Sequence, residues 1–146
     1  MLVFVHLFSG ERDSEDLQSC LETACAEAGI PCLILSADLS VHRGWDLGEP
    51  EVLALLSDLA ETGCLEGVGG GPPCATWSRS RFHAGGPRPL QHRGLYEWGL
   101  PNLSVHEQRR LLEANVLMVN FLHLCKMVSD QGGFHSVSYT HLTLPT

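Results

Sequence analysis

At 146 residues with 44% hydrophobic content, the chain can bury one core and leaves no room for a second domain. Its net charge of −8 is uneven: residues 1–66 hold 13 acids against Arg12 and Arg43, whereas residues 67–146 hold 4 acids against 7 bases, so an anionic ligand is expected to face the second half. Six cysteines include no Cys-x-x-Cys pair and no Cys/His set at finger spacing, which argues against a metal centre and for reduced thiols inside a cell.

Leu2 to Phe8 is a nearly continuous apolar run, as expected for a central strand covered on both faces. It lacks a basic leader and is too short to span a membrane. Asp13 or Ser14 can cap a helix in which Leu17, Leu21, Ala24, Cys25 and Ala28 recur at helical spacing, with Glu15 and Asp16 in the first turn; Gly29 and Pro31 stop it. Pro31 to Leu35 is the next strand, reached by a right-handed crossover. Pro50 and Gly63 bracket a second amphipathic helix through Val52, Leu53, Leu55, Leu56 and Leu59, and a short buried strand follows over Leu65–Gly69.

From Arg79 to Leu103 periodicity disappears over a stretch too long for an ordinary connection, which reads as a functional or mobile loop. Ser104-Val105-His106-Glu107 is a capping box that opens a long helix through Leu111, Met118, Leu122, Cys125 and Val128 to Gly132. Gly132-Gly133-Phe134 should open a fourth strand.

The chemistry concentrates at Gly69-Gly70-Gly71-Pro72-Pro73-Cys74. Two prolines on a glycine-rich turn fix the direction of the Cys74 thiol just beyond a strand's carboxyl end, where open α/β sheets place their ligands. The competing reading is a small buried cysteine at a Pro-rich turn. Three consecutive glycines, having little packing reason to be there, favour function. Arg79, Arg81, Arg88 and Arg93 with His83 and His92 form a basic stretch, either a phosphate-binding surface or a solvated loop. Trp77 is a pocket wall or core packing, and the strand-end acids Asp38 and Asp46 are ligand contacts or turn formers. His6 and His123 lack partners at metal-ligand spacing.

The run Gly70 to Ser78 resembles the Pro-Cys motif of the cytosine carbon-5 DNA methyltransferases, with Ser78 at the family's serine position, and His6-Leu7-Phe8-Ser9-Gly10 is similar to the family's Asp-Leu-Phe-x-Gly. The resemblance covers residues 3 to 81 well and 82 to 133 loosely. It implies an α/β fold, a Rossmann-like three-layer sandwich of the class I methyltransferase type cut short before its later strands, with the first strand between the second and third. It implies S-adenosyl-L-methionine as cofactor, held by Phe8, Ser9, Gly10, Asp38 (ribose), Asp46 (adenine) and Pro72. Cys74 would be the nucleophile, and Ser78, Arg79 and Arg81 would meet DNA beside a base taken out of the duplex. DNA is the implied partner; no metal or membrane is expected, and the protein is expected to be an intracellular monomer.

Two departures accompany the resemblance. Glu11-Arg12-Asp13 follow Gly10 where the family has a second glycine, placing acids beside the donor's carboxylate unless Arg12 compensates. The family's base-anchoring Glu-Asn motif, a later arginine-bearing strand and a recognition domain are not found. Residues 1–135 are therefore expected to be a partial catalytic domain, and residues 136–146, similar to translated sequencing adapter, a non-native tail. A domain of this type that binds nucleic acid or a partner without catalysis is the main alternative. Methylation of exocyclic amines is disfavoured, since those enzymes carry an aromatic residue where Cys74 stands.

Overall fold

The computed structural model describes residues 1–39, 41–76, 79–92 and 94–138, with Arg79 and Ser80 described by backbone alone. The chain runs β1 (Leu2–Leu7), α1 (Leu17–Glu27), β2 (Cys32–Ala37), α2 (Pro50–Glu61), β3 (Gly67–Gly70), α3 (Val105–Asp130) and β4 (Phe134–Val137), with short 3-10 turns at Arg43–Trp45 and Arg79–Phe82. All described strand pairs are parallel and the order is β2-β1-β3-β4, so β1 lies between β2 and β3 as expected.

The crossover to β2 moves one way along the sheet and those to β3 and β4 move the other, so right-handed connections send α1 to one face and α2 and α3 to the opposite face. The main core lies on the second face, where Val5 and Leu7 of β1 meet Leu56 and Ala60 of α2 and Phe121 and Leu124 of α3. On the first face α1 packs on β2. There the Phe4 ring lies over Gly67 and Gly69 and stacks on Phe134 at 5.6 Å.

Local choices differ from the expected ones in physically readable ways. Asp16, not Asp13 or Ser14, caps α1: its Oδ1 accepts the Ser19 N–H at 2.8 Å, while Asp13 accepts the Glu15 N–H at 2.7 Å in the turn before the helix. Pro50 opens α2, and the Ser104/Glu107 capping box opens α3 with both reciprocal bonds. Leu55 and Leu122, expected on core faces, are 53% and 48% exposed. The described residues between Phe82 and Leu103 are tied to α3: Leu90 and Leu103 pack on Leu111 in a small second core, and Gln91 donates to the Glu97 carbonyl at 3.1 Å and to Asn115 Oδ1 at 2.9 Å. β4 runs through Ser136 and Val137, the first two residues of the expected tail. Parallel pairing uses backbone groups alone and accepts any non-proline sequence there. The remainder from Tyr139 lies outside the described residues.

The glycines before Cys74 do have packing reasons, contrary to the expectation. A Cβ on Gly70 would lie 2.3 Å from the Leu7 carbonyl oxygen, one on Gly69 would lie 2.7 Å from the Phe4 ring, and one on Gly71 would lie 2.8 Å from the Ser138 carbonyl oxygen. Close approach of neighbouring backbone and ring atoms therefore accounts for all three, and they carry no independent argument for a catalytic turn.

Candidate functional site

The strand order reverses between β1 and β3, which is where an open parallel sheet leaves a crevice at its carboxyl edge. A cleft of about 490 Å³ opens there, within the size range of small-molecule sites. Phe8 enters it from the end of β1, Asp38 from the end of β2, Trp45 and Asp46 from the turn before α2, and Gly71 and Pro73 from the segment after β3. Leu117 of α3 also lines it.

Phe8 holds φ at 57°, an uncommon conformation for a bulky residue, and its ring meets Phe121 edge-on at 5.7 Å. Such a backbone at a strand's end redirects the chain sharply into the following loop. Gly10, with φ at 72°, donates its N–H to Asp38 Oδ2 at 2.8 Å, tying the β1 loop to the end of β2. Asp46 accepts the Gly48 N–H at 2.8 Å and thereby shapes the turn into α2. Ser9, expected among the cofactor contacts, instead turns its hydroxyl onto the Gly10 carbonyl at 3.2 Å and does not line the cleft. Pro72 is fully buried, and Pro73 takes the lining position expected of it.

Cys74 is half-buried and immediately follows Pro73, yet is not among the residues lining the cleft. Thus Asp38 and Asp46 share one cleft and Cys74 stands beside it. Ser78 lies outside the described residues, as do Trp77 and Arg93, and the Arg79 side chain is not described. Arg81 corrects the expectation of a phosphate contact: it is 8% exposed, with Nε donating to the Ala75 carbonyl and a terminal nitrogen donating to the Arg88 carbonyl at 2.7 Å. Its charge clamps the loop after Cys74 from inside. Arg88 likewise donates to the Asn102 carbonyl at 3.0 Å and sits 3.8 Å from the Glu107 carboxylate.

Electrostatically the cleft is acidic, with Asp38 and Asp46 its charged lining groups and no Lys or Arg among those residues. Arg12 is engaged by Asp16 and by the Ser19 hydroxyl at 3.3 Å, so it is held at the start of α1 rather than facing a ligand carboxylate. Asp16 is held well below the usual carboxylate range, chiefly by the Ser19 N–H. His6, opposite Ser36 and Gly69 in the sheet, is pushed towards its neutral form by burial, against the opposing pull of Asp16 and Asp38. Its Nδ1 has no hydrogen-bond partner among the described residues.

Chemically, an aromatic wall of Trp45 and Phe8 with two carboxylates and no cation suits a flat, hydroxyl-bearing, cationic ligand. It is unfavourable to one carrying phosphates. Trp45, Pro73 and Leu117 are among the lining residues that sequence reasoning missed. Comparison with protein-family models, with curated proteins and with solved structures finds no match for this chain.

Proposed function

We propose that the chain carries the donor-binding and nucleophile part of an S-adenosyl-L-methionine-dependent DNA (cytosine-5-)-methyltransferase, on a Rossmann-like, class I methyltransferase-type sheet. The observation that carries the reading is that Asp38, which lines an acidic cleft, also accepts the N–H of Gly10, itself outside the cleft lining. A strand-end carboxylate beside the first loop is the arrangement by which such sheets hold a ribose. Here the lack of a cation among the described lining residues favours a sulfonium-bearing nucleoside over a dinucleotide. Trp45 supplies a face for adenine, and Asp46 stands near it.

The Cys74 thiol would add to carbon 6 of a cytosine rotated out of the duplex, the donor, where bound, would supply the methyl group that carbon 5 takes up, and loss of the carbon-5 proton to solvent with departure of the Cys74 sulfur would restore the ring. The chain's own contribution is positional: Pro72 is buried and Pro73 walls the cleft, so Cys74 is held at the edge of the donor site. DNA containing 5-fluorocytosine tests this step, because fluorine at carbon 5 cannot leave after methyl transfer. In a longer version that also carries the base-anchoring Glu and a recognition domain, with donor present, the adduct is expected on Cys74 and lost in Cys74→Ser, whereas the 146 residues alone are expected to be inactive; an adduct on another cysteine, or one surviving in Cys74→Ser, contradicts the assignment.

A second reading has a specific observation behind it. Cys74 does not line the cleft and Arg81 is turned inward, which favours a methyltransferase-like domain that binds donor or nucleic acid without catalysis. Donor binding without any covalent trapping in that longer version would select it.

A further inference from the structure

α3 is apolar on two opposite faces. One packs in the core through Leu111, Met118, Phe121 and Val128. The other consists of Val105, Leu112, Val116 and Val119, which at about 100° per residue fall within roughly 60° of one another and span about 21 Å of helix. They are 76, 64, 37 and 47% exposed. Single exposed aliphatic residues are ordinary, but four aligned along one helix are not.

We infer that this stripe is a homodimer interface in which α3 packs antiparallel against α3 of a second copy. The spacing is self-complementary. A two-fold axis at Leu112 sets Leu112 against its own copy and Val105 of one helix against Val119 of the other, which is the requirement for an isologous contact. Charge supports the same register. Arg109 and Glu113 flank the stripe on one side, both exposed, and neither forms an ion pair among the described residues, their order along the helix being the less favourable one for an i,i+4 pair. About the Leu112 axis, Arg109 of each copy comes within a turn of Glu113 of the other, so that the two Glu113 carboxylates, side by side near the axis, are flanked by the two Arg109 guanidinium groups.

The area is also of the right order. The four side chains offer on the order of 300 Å² of apolar surface per copy, at the small end of specific interfaces even with their polar rim, which fits a reversible dimer, against the expectation of a monomer. α3 is also long and apolar enough, by length and composition, to cross a bilayer. Its core face is covered by the sheet and α2, so a lipid surface is the competing occupant of the outer stripe only.

Sedimentation velocity on the 146-residue protein, from low to hundreds of micromolar, tests the inference. A monomer–dimer equilibrium is expected. Leu112→Glu should raise its dissociation constant by about tenfold or more, with an unchanged thermal melt because the side chain faces solvent. Arg109→Glu and Glu113→Arg should each weaken the dimer, and the double variant should recover most of the loss. A monomer at all concentrations overturns the proposal, as does a dimer indifferent to Leu112→Glu. A monomer that co-sediments with phosphatidylcholine/phosphatidylglycerol vesicles, and stops doing so in Leu112→Glu, overturns it in favour of a membrane surface.

Discussion

Asp38 accepts the Gly10 N–H at 2.8 Å, so the loop after β1 and the end of β2 are fastened together by a side chain that also lines the cleft. One residue thus joins two strand ends and lines the pocket. Asp38→Ala should weaken S-adenosylmethionine binding at least tenfold, in line with about 1.5–3 kcal/mol for a hydrogen bond to a charged group. Equal affinity in the variant would remove Asp38 from the donor site.

Gly70 is a steric requirement rather than a catalytic device. Its Cβ would meet the Leu7 carbonyl oxygen at 2.3 Å, and backbone cannot move aside as a flexible side chain can. Gly70→Ala should cost about 1–3 kcal/mol or more by urea denaturation. Gly85→Ala, where no atom lies within 4 Å, should cost only the strain of its φ of 80°.

Arg81 should behave as a structural residue. Arg81→Met leaves the Ala75 and Arg88 carbonyls without their donor and should cost about 2–3 kcal/mol. The slope of DNA affinity against salt concentration should not change, since a phosphate contact would contribute about one unit to it. A shallower slope in the folded variant would restore the phosphate role.

Much of the fold was legible because its signals are local and strong. The continuous apolar run of β1, Pro50 at the start of α2 and the Ser104/Glu107 box each specify an element through backbone chemistry close in sequence. The α1 cap was misplaced because Asp13 and Asp16 are equally good capping residues, and which one wins depends on Arg12 and Ser19. The strand-end acids were found because a carboxyl edge is a topological place. Trp45 and Leu117 were missed because their meeting in one cleft depends on how α3 packs, and no sequence spacing encodes that. Arg81 reads as a surface charge in any one-dimensional pattern; only the folded loop shows the two carbonyls that it satisfies.

Acid should loosen the start of α1. The folded Asp16 carboxyl is held below its usual value of 3.8, chiefly by the Ser19 N–H. A group depressed in this way contributes stability that is fully present above its unfolded pKa and is lost as pH falls through the folded one. Asp16→Ala should therefore melt below wild type at neutral pH, and the difference should shrink as the pH falls below 3.8. A difference that stays constant into strong acid would place the effect elsewhere.

Isothermal titration of S-adenosylmethionine into the protein, with NAD as the phosphate-bearing comparison, reads out the donor site itself. One equivalent of S-adenosylmethionine should bind, the binding should be abolished or greatly weakened by Asp38→Ala and by Trp45→Ala, and NAD should give no measurable heat. Binding of NAD in preference to S-adenosylmethionine, or no binding of S-adenosylmethionine to a folded sample, would contradict the proposed donor site.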